Sequence, residues 1–182
     1  MSNNIFKYPV ILVNSMYFSI AKNIISSKLK KKPYKLNFLI TMRCNSKCKH
    51  CRIWKLDRTE NELTTEEIRK IFKNLPENIF WVSLSGGEPF IREDLKDIII
   101  AAKDEIQNLK ILNIPTNGLC QKQIIDTIKV LKNIPKVRFL IVFSIEGPEK
   151  INDKIRGISG AYNKTLETYY KARKTANKAK NI

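Results

Sequence analysis

The chain has 182 residues, 34 Lys plus Arg against 17 Asp plus Glu, and four Cys. Hydrophobic residues make up 43% and charged residues 28%, which excludes a disordered or collagen-like chain, and the length is ample for one buried core. Four Cys are too few for a disulfide-stapled module, and three of them fall between 44 and 51, which reads as a ligand cluster.

The net charge of +17 is unevenly spread, because residues 1–56 hold twelve Lys or Arg and no acid. A basic N-terminal third suits nucleic acid, an anionic membrane surface or an acidic protein partner. Lys, Asn and Ile dominate the composition, so most of the excess charge is also accounted for by an AT-rich coding sequence.

Tyr8 to Ile25 is the most apolar stretch, but Asn14, Ser15, Ser19, Lys22 and Asn23 interrupt it. A spanning helix needs about 20 mostly apolar residues, and no signal-peptide pattern is clear. Pro9 in a first turn, with a stripe of Val13, Tyr17, Ile20 and Ile24, predicts a helix in an N-terminal extension over residues 1–32. That helix packs on the domain body or, flanked by Lys28, Lys30, Lys31 and Lys32, lies on a membrane surface. The default location is the cytoplasm.

From Pro33 the pattern alternates. Leu36–Ile40 reads as a strand, and a long cysteine-bearing loop follows. Thr64 with Glu67 forms a capping box that opens a helix. Ile79–Leu84 is a second strand. Leu95, Ile98, Ile99, Ala102 and Ile106 define an amphipathic helix over 92–106.

Leu109–Ile114 is the third strand, and Ile124, Ile125, Ile128 and Leu131 mark the next helix face. Val137–Ile145 is a nearly unbroken apolar run, expected of a strand buried on both faces. Tyr162, Leu166, Tyr169 and Tyr170 start a final helix. The expected fold is α/β: four βα units with right-handed crossovers, whose parallel sheet is covered by helices. The core is 33–182.

Each unusual cluster sits just after a strand. The cysteines follow the first and Ser85-Gly86-Gly87-Glu88-Pro89 the second. Pro115-Thr116-Asn117-Gly118 follows the third, and Ser144-Ile145-Glu146-Gly147-Pro148 ends the fourth. Ligands of parallel α/β folds bind at that edge, so the four clusters predict one shared site.

Cys44, Cys48 and Cys51 are spaced so that a tight loop can turn three sulfurs to one centre. Thiolates are the natural ligands of iron–sulfur clusters and of zinc. Arg43, Lys47, Lys49 and Arg52 crowd the loop and are expected to lower the thiol pKa values. Three ligands instead of four point to a coordination position kept for a small molecule; a zinc site completed by His50 or Cys120 is the alternative.

This CxxxCxxC arrangement after a first strand, in the context Thr41-Met42-Arg43-Cys44-Asn45 and Cys48-Lys49-His50-Cys51-Arg52-Ile53-Trp54, resembles the radical S-adenosylmethionine (radical SAM) superfamily. Gly86-Gly87-Glu88-Pro89 strengthens the likeness, which runs from about Leu36 to Ala161. The resemblance implies a partial (β/α) barrel and a 4Fe–4S cluster held by three thiolates. S-adenosylmethionine would chelate the fourth iron. Reductive cleavage of its sulfonium would give methionine and a 5′-deoxyadenosyl radical that abstracts hydrogen from an unknown substrate.

By the same resemblance His50 shields the cluster near the adenine. Gly86, Gly87 and Glu88 hold the methionine amino group; Ser85, Ser144 and Arg156 hold its carboxylate or the ribose. Thr116 and Asn117 line the pocket. Asn152 replaces a histidine common in relatives and is given no role, while Cys120 reads as a buried, idle thiol.

Relatives usually carry six βα units, and this sequence carries about four, so a core truncated after the fourth unit is the expectation. A second chain that completes the barrel and an acidic electron donor such as flavodoxin or ferredoxin are the implied partners. The alternatives are a cluster-binding remnant without turnover and a zinc-stabilised basic module. With no aromatic-basic stripe, no specific nucleic acid binding is expected.

Overall fold

The computed structural model describes residues 32–56, 62–177, 179, 181 and 182. The expected N-terminal helix and its membrane contact lie outside them. Four strands, β1 (Lys35–Thr41), β2 (Trp81–Gly86), β3 (Ile111–Thr116) and β4 (Arg138–Phe143), form one parallel sheet in the order β1-β2-β3-β4. The helices are α1 (Thr65–Lys73), α2 (Leu95–Glu105), α3 (Gln121–Leu131), α4 (Glu149–Arg156) and α5 (Ala161–Ala176).

Local chemistry sets the helix starts. The Thr64 hydroxyl accepts from the Glu67 amide at 3.3 Å and the Glu67 carboxylate accepts from the Thr64 amide at 2.8 Å, so the predicted capping box closes. Ile68 and Phe72 of α1, Leu95, Ile98, Ile99 and Ala102 of α2, and Ile124, Ile128 and Leu131 of α3 are buried. They meet Ile40, Val82, Leu84, Leu112, Ile114 and Phe139 from the sheet in one core. Fully burying each large side chain of this set contributes about 1.5–3 kcal/mol.

Those strand residues all lie on one pleat face. The opposite face carries Asn37 and Leu39 of β1, Trp81 and Ser83 of β2, Asn113 of β3, and Leu140 and Val142 of β4. Leu39 is 55% exposed and Val142 47% exposed. Among the described residues the helices therefore pack on one face only, as the expected partial (β/α) barrel requires. β4 is correspondingly not buried on both faces: Arg138 and Val142 are exposed, and Phe139 points to the helices. A cross-strand ladder orders the open face, where Trp81 Nε1 donates to Asn113 Oδ1 at 2.8 Å and Asn113 Nδ2 to Ser83 Oγ at 3.0 Å.

One feature of the last unit differs from expectation. A separate helix, α4, precedes the final one, and α5 buries Ala161, Thr165, Thr168 and Ala172 while Tyr170 is exposed. Small residues let α5 approach closely, while Tyr169 packs edge-to-face on Phe143 of β4, with ring centroids 5.6 Å apart. At the outer edge of β4, Phe139 N donates to the Asn181 carbonyl at 2.7 Å, while Asn181 Nδ2 donates to the carbonyls of Leu131 and Ile134. This pairing caps part of the open strand.

Candidate cofactor site

The cysteine loop leaves β1 and is clamped from three sides. The first clamp is the β2 turn. A Cβ on Gly86 would fall 2.0 Å from the Thr41 carbonyl oxygen, and one on Gly87 would fall 2.0 Å from that of Arg43. Gly87 N donates to Thr41 O at 2.8 Å and Glu88 N to Arg43 O at 2.8 Å. The glycines thus admit the entry of the cysteine loop itself.

The second clamp is the β3 turn. Glu88 is buried, and its carboxylate accepts from Thr116 Oγ1 at 2.9 Å, Asn117 N at 2.7 Å and Phe90 N at 3.2 Å. Burial pushes the Glu88 carboxyl up, while these donors and the Arg156 charge oppose that rise. Asn117 Nδ2 donates to Asn45 Oδ1 at 2.7 Å and Ser46 Oγ at 3.0 Å, and its Oδ1 accepts from Leu119 N at 2.9 Å. Thr165 Oγ1 of α5 fastens this turn through the Asn117 carbonyl at 2.7 Å.

The third clamp is the C-terminal end of α4. Its last carbonyls, which lack helical partners, accept from the loop: Lys47 N to Arg156 O at 3.1 Å and Lys49 N to Ile155 O at 2.9 Å. Arg156 Nη1 lies 3.5 Å from Cys48 Sγ, and Nη2 donates to the Ser144 carbonyl at 2.8 Å and pairs with Glu146 Oε1 at 3.0 Å. Asn152 is buried and accepts from Glu146 N at 3.0 Å, so the position left without a role holds the β4 turn.

The four cysteines are free thiols, with Cys48 buried and the others half-buried. The Cys48 carbonyl accepts from Cys51 N at 3.2 Å and Trp54 Nε1 at 3.1 Å, which closes the loop on itself. Ser46 N lies 3.5 Å from Cys44 Sγ. Burial pushes the Cys44 thiol up, opposed by the Ser46 amide and reinforced by Glu88, Cys48 and Cys51. The expected lowering by basic neighbours is reversed for Cys44. Arg43 is paired with Glu62 at 3.0 Å, and Lys47, Lys49 and Arg52 are exposed to water, which screens them.

Among the described residues no three His, Cys, Asp or Glu side chains converge on the geometry of a single bound ion. The donor set is three thiols on one loop, two of them with N–H groups aimed at sulfur. This is the chemistry of an iron–sulfur ligand set, whose sulfurs accept such hydrogen bonds, and a coordinating iron deprotonates each thiol outright. The residues present fit a 4Fe–4S cluster.

Thr116, Asn117, Glu88 and Arg156 meet around the cysteine loop. Ser144 joins them through its backbone, donating from N to Thr116 O at 2.9 Å. Ser85 is half-buried near the end of β2, and His50 is exposed in the turn between Cys48 and Cys51. Cys120 receives Asn45 Nδ2 at 3.4 Å, and burial pushes its thiol up to about 11. Sequence reasoning missed Asn45, Ser46 and Asn152 as structural ties. Asn45 and Ser46 stand between the first two cysteines, where a loop's polar groups must find partners.

The Radical SAM superfamily model matches residues 38–181. Fe-coproporphyrin III synthase of Methanosarcina barkeri (strain Fusaro / DSM 804) is 36% identical over 130 residues, covering 70% of this chain and 31% of that one. GTP 3′,8-cyclase of Aquifex aeolicus (strain VF5) is 31% identical over 152 residues, covering 80% of this chain and 45% of that one. The crystal structure of Streptococcus suis SuiB bound to S-adenosylmethionine superposes with a TM-score of 0.63 at 18% identity, covering 90% of this chain and 42% of that one. The chain spans less than half the length of each of these proteins. Its strand order, its cysteine loop and these matches together make it a member of the radical SAM superfamily.

Proposed function

We propose that this chain is the core of a radical SAM enzyme, with a 4Fe–4S cluster on Cys44, Cys48 and Cys51 and S-adenosylmethionine at the C-terminal edge of the sheet. The observation that carries this reading is the clamping of a three-thiol loop by the β2 turn, the β3 turn and the end of α4. When bound, the cluster supplies the electron that cleaves S-adenosylmethionine to methionine and a 5′-deoxyadenosyl radical, which abstracts hydrogen from a substrate of unassigned identity.

The chain's own residues bind and orient. Three thiolates would leave one iron without a protein ligand, open to the amino and carboxylate groups of S-adenosylmethionine. Glu88, Thr116 and Asn117 have most of their polar atoms engaged with one another and with the loop, so their part is to hold the pocket wall rigid. Two of the five N–H donors of Arg156 stay available to a carboxylate. Ser85 and Ser144 offer hydroxyls at the same strand ends.

No described helix is long and apolar enough to cross a membrane. We place the chain in the reducing cytoplasm, where thiol ligands persist. An acidic electron donor docks on the exposed Lys47, Lys49, Arg52 and Lys55 around the loop.

A second reading is cluster binding without turnover until another chain supplies further strands, favoured by the uncovered sheet face with Leu39 and Val142 exposed. Anaerobic reconstitution, chemical reduction and incubation with S-adenosylmethionine separate the two. The enzyme reading expects 5′-deoxyadenosine, abolished by Cys48→Ala. A full complement of iron and sulfide without that product leaves the second reading.

A further inference from the structure

We propose that Arg156 raises the reduction potential of the cluster by directing a charged N–H at the Cys48 sulfur, and that Glu146 moderates this effect. The inference rests on the reading that Cys44, Cys48 and Cys51 hold a 4Fe–4S cluster. It assigns Arg156 a role apart from contact with S-adenosylmethionine.

Arg156 Nη1 stands 3.5 Å from Cys48 Sγ, within the longer reach of a sulfur acceptor. Both groups are out of water, Arg156 at 8% and Cys48 at 6% exposure. A guanidinium at a sulfur in a low-dielectric setting acts with little screening. The contact is held from both ends. The Arg156 carbonyl receives Lys47 N, the residue before Cys48, and the guanidinium is fixed by the Ser144 carbonyl. Side chain and sulfur therefore belong to one rigid assembly.

One-electron reduction adds a negative charge to the cluster and its thiolates while forming and breaking no bond. A fixed positive charge on a ligand sulfur stabilises the reduced state more than the oxidised one, and hydrogen bonds to cluster sulfurs act in the same direction. Glu146 Oε1, 3.0 Å from Arg156 Nη2, withdraws part of that field, and its side chain is 30% exposed. Glu88 is a second carboxylate within the reach of the Arg156 charge. Arg156 acts through Cys48, so it is a positioning and tuning residue.

The two members of the ion pair predict opposite signs, which disruption of the fold cannot imitate. Redox titrations of anaerobically reconstituted protein, followed by electron paramagnetic resonance (EPR), give the midpoint potential of the wild type and of each variant. Arg156→Gln lowers the midpoint, Arg156→Lys lies nearer the wild type, and Glu146→Gln raises it. Where Arg156→Gln assembles no cluster, an upward shift in Glu146→Gln alone sustains the proposal. Unchanged midpoints, or shifts of the same sign in Arg156→Gln and Glu146→Gln, overturn it while the cluster reading stands. Absence of iron and sulfide from the reconstituted wild type overturns the cluster reading, and this proposal with it.

Discussion

The amide of Lys47 donates to the carbonyl of Arg156 at 3.1 Å, so the cysteine loop rests on the end of a helix from the last unit of the sheet. The cysteines at the start of the domain are thereby held by residues far later in sequence. The helix ends in Gly157, whose φ of +69° lets the chain turn beneath the loop.

Gly157→Ala tests this support. A Cβ there would lie 2.9 Å from the Lys47 carbonyl oxygen, and its left-handed backbone costs an L residue about 1–2 kcal/mol. Gly160 shares the conformation, with φ of +73°, but a Cβ there meets nothing within 4 Å. Urea denaturation should show both alanine variants destabilised by about 1–2 kcal/mol, with the larger loss at Gly157. Only Gly157→Ala should also reduce iron bound per chain.

Glu88 ties the β2 turn to the β3 turn through two donors, Thr116 Oγ1 and Asn117 N, and accepts a third from Phe90 N in its own turn. In Glu88→Gln an amide nitrogen replaces one oxygen, leaving a buried donor such as Asn117 N–H without its acceptor at a cost of about 1–3 kcal/mol. Thermal unfolding should register that loss, together with weaker cluster retention. Stability equal to the wild type at neutral pH would mean that the three contacts are dispensable.

Much of this arrangement was legible in the sequence. The alternation of strands with the Ile- and Leu-rich faces of α2 and α3 gives the succession of βα units, because apolar periodicity reports burial directly. The capping box at Thr64 was readable for a similar reason, since two residues carry both halves of it. Helix α4 was not legible: its buried members are Asn152 and Arg156, which a count of apolar positions passes over. The buried stripe of α5 was not legible either, because Ala and Thr make it. The run Val137–Ile145 is apolar enough for two covered faces, and only the tertiary arrangement shows that one is open. The three cysteines stood out, whereas the loops that clamp them depend on contacts between distant turns.

Acid should act through Asp94. Hydrogen bonds from Arg92, at 2.8 and 2.6 Å, hold its carboxyl below the ordinary value of 3.8, against a smaller rise from burial. A depressed folded-state pKa contributes stability that is fully present above pH 3.8 and lost as the pH falls through the lower value. Asp94→Asn should flatten the acid limb of the stability profile, measured by denaturation from pH 6 down to about pH 2. An acid limb as steep as that of the wild type would show that Asp94 contributes nothing to it.

The EPR spectrum of the reduced, reconstituted protein before and after addition of S-adenosylmethionine is the most direct measure of the central claim, a cluster on three thiolates with one iron left for the ligand. The account predicts a reduced 4Fe–4S signal that changes shape when S-adenosylmethionine is added, and no such signal in Cys48→Ala. A cluster signal that S-adenosylmethionine leaves unchanged would contradict it.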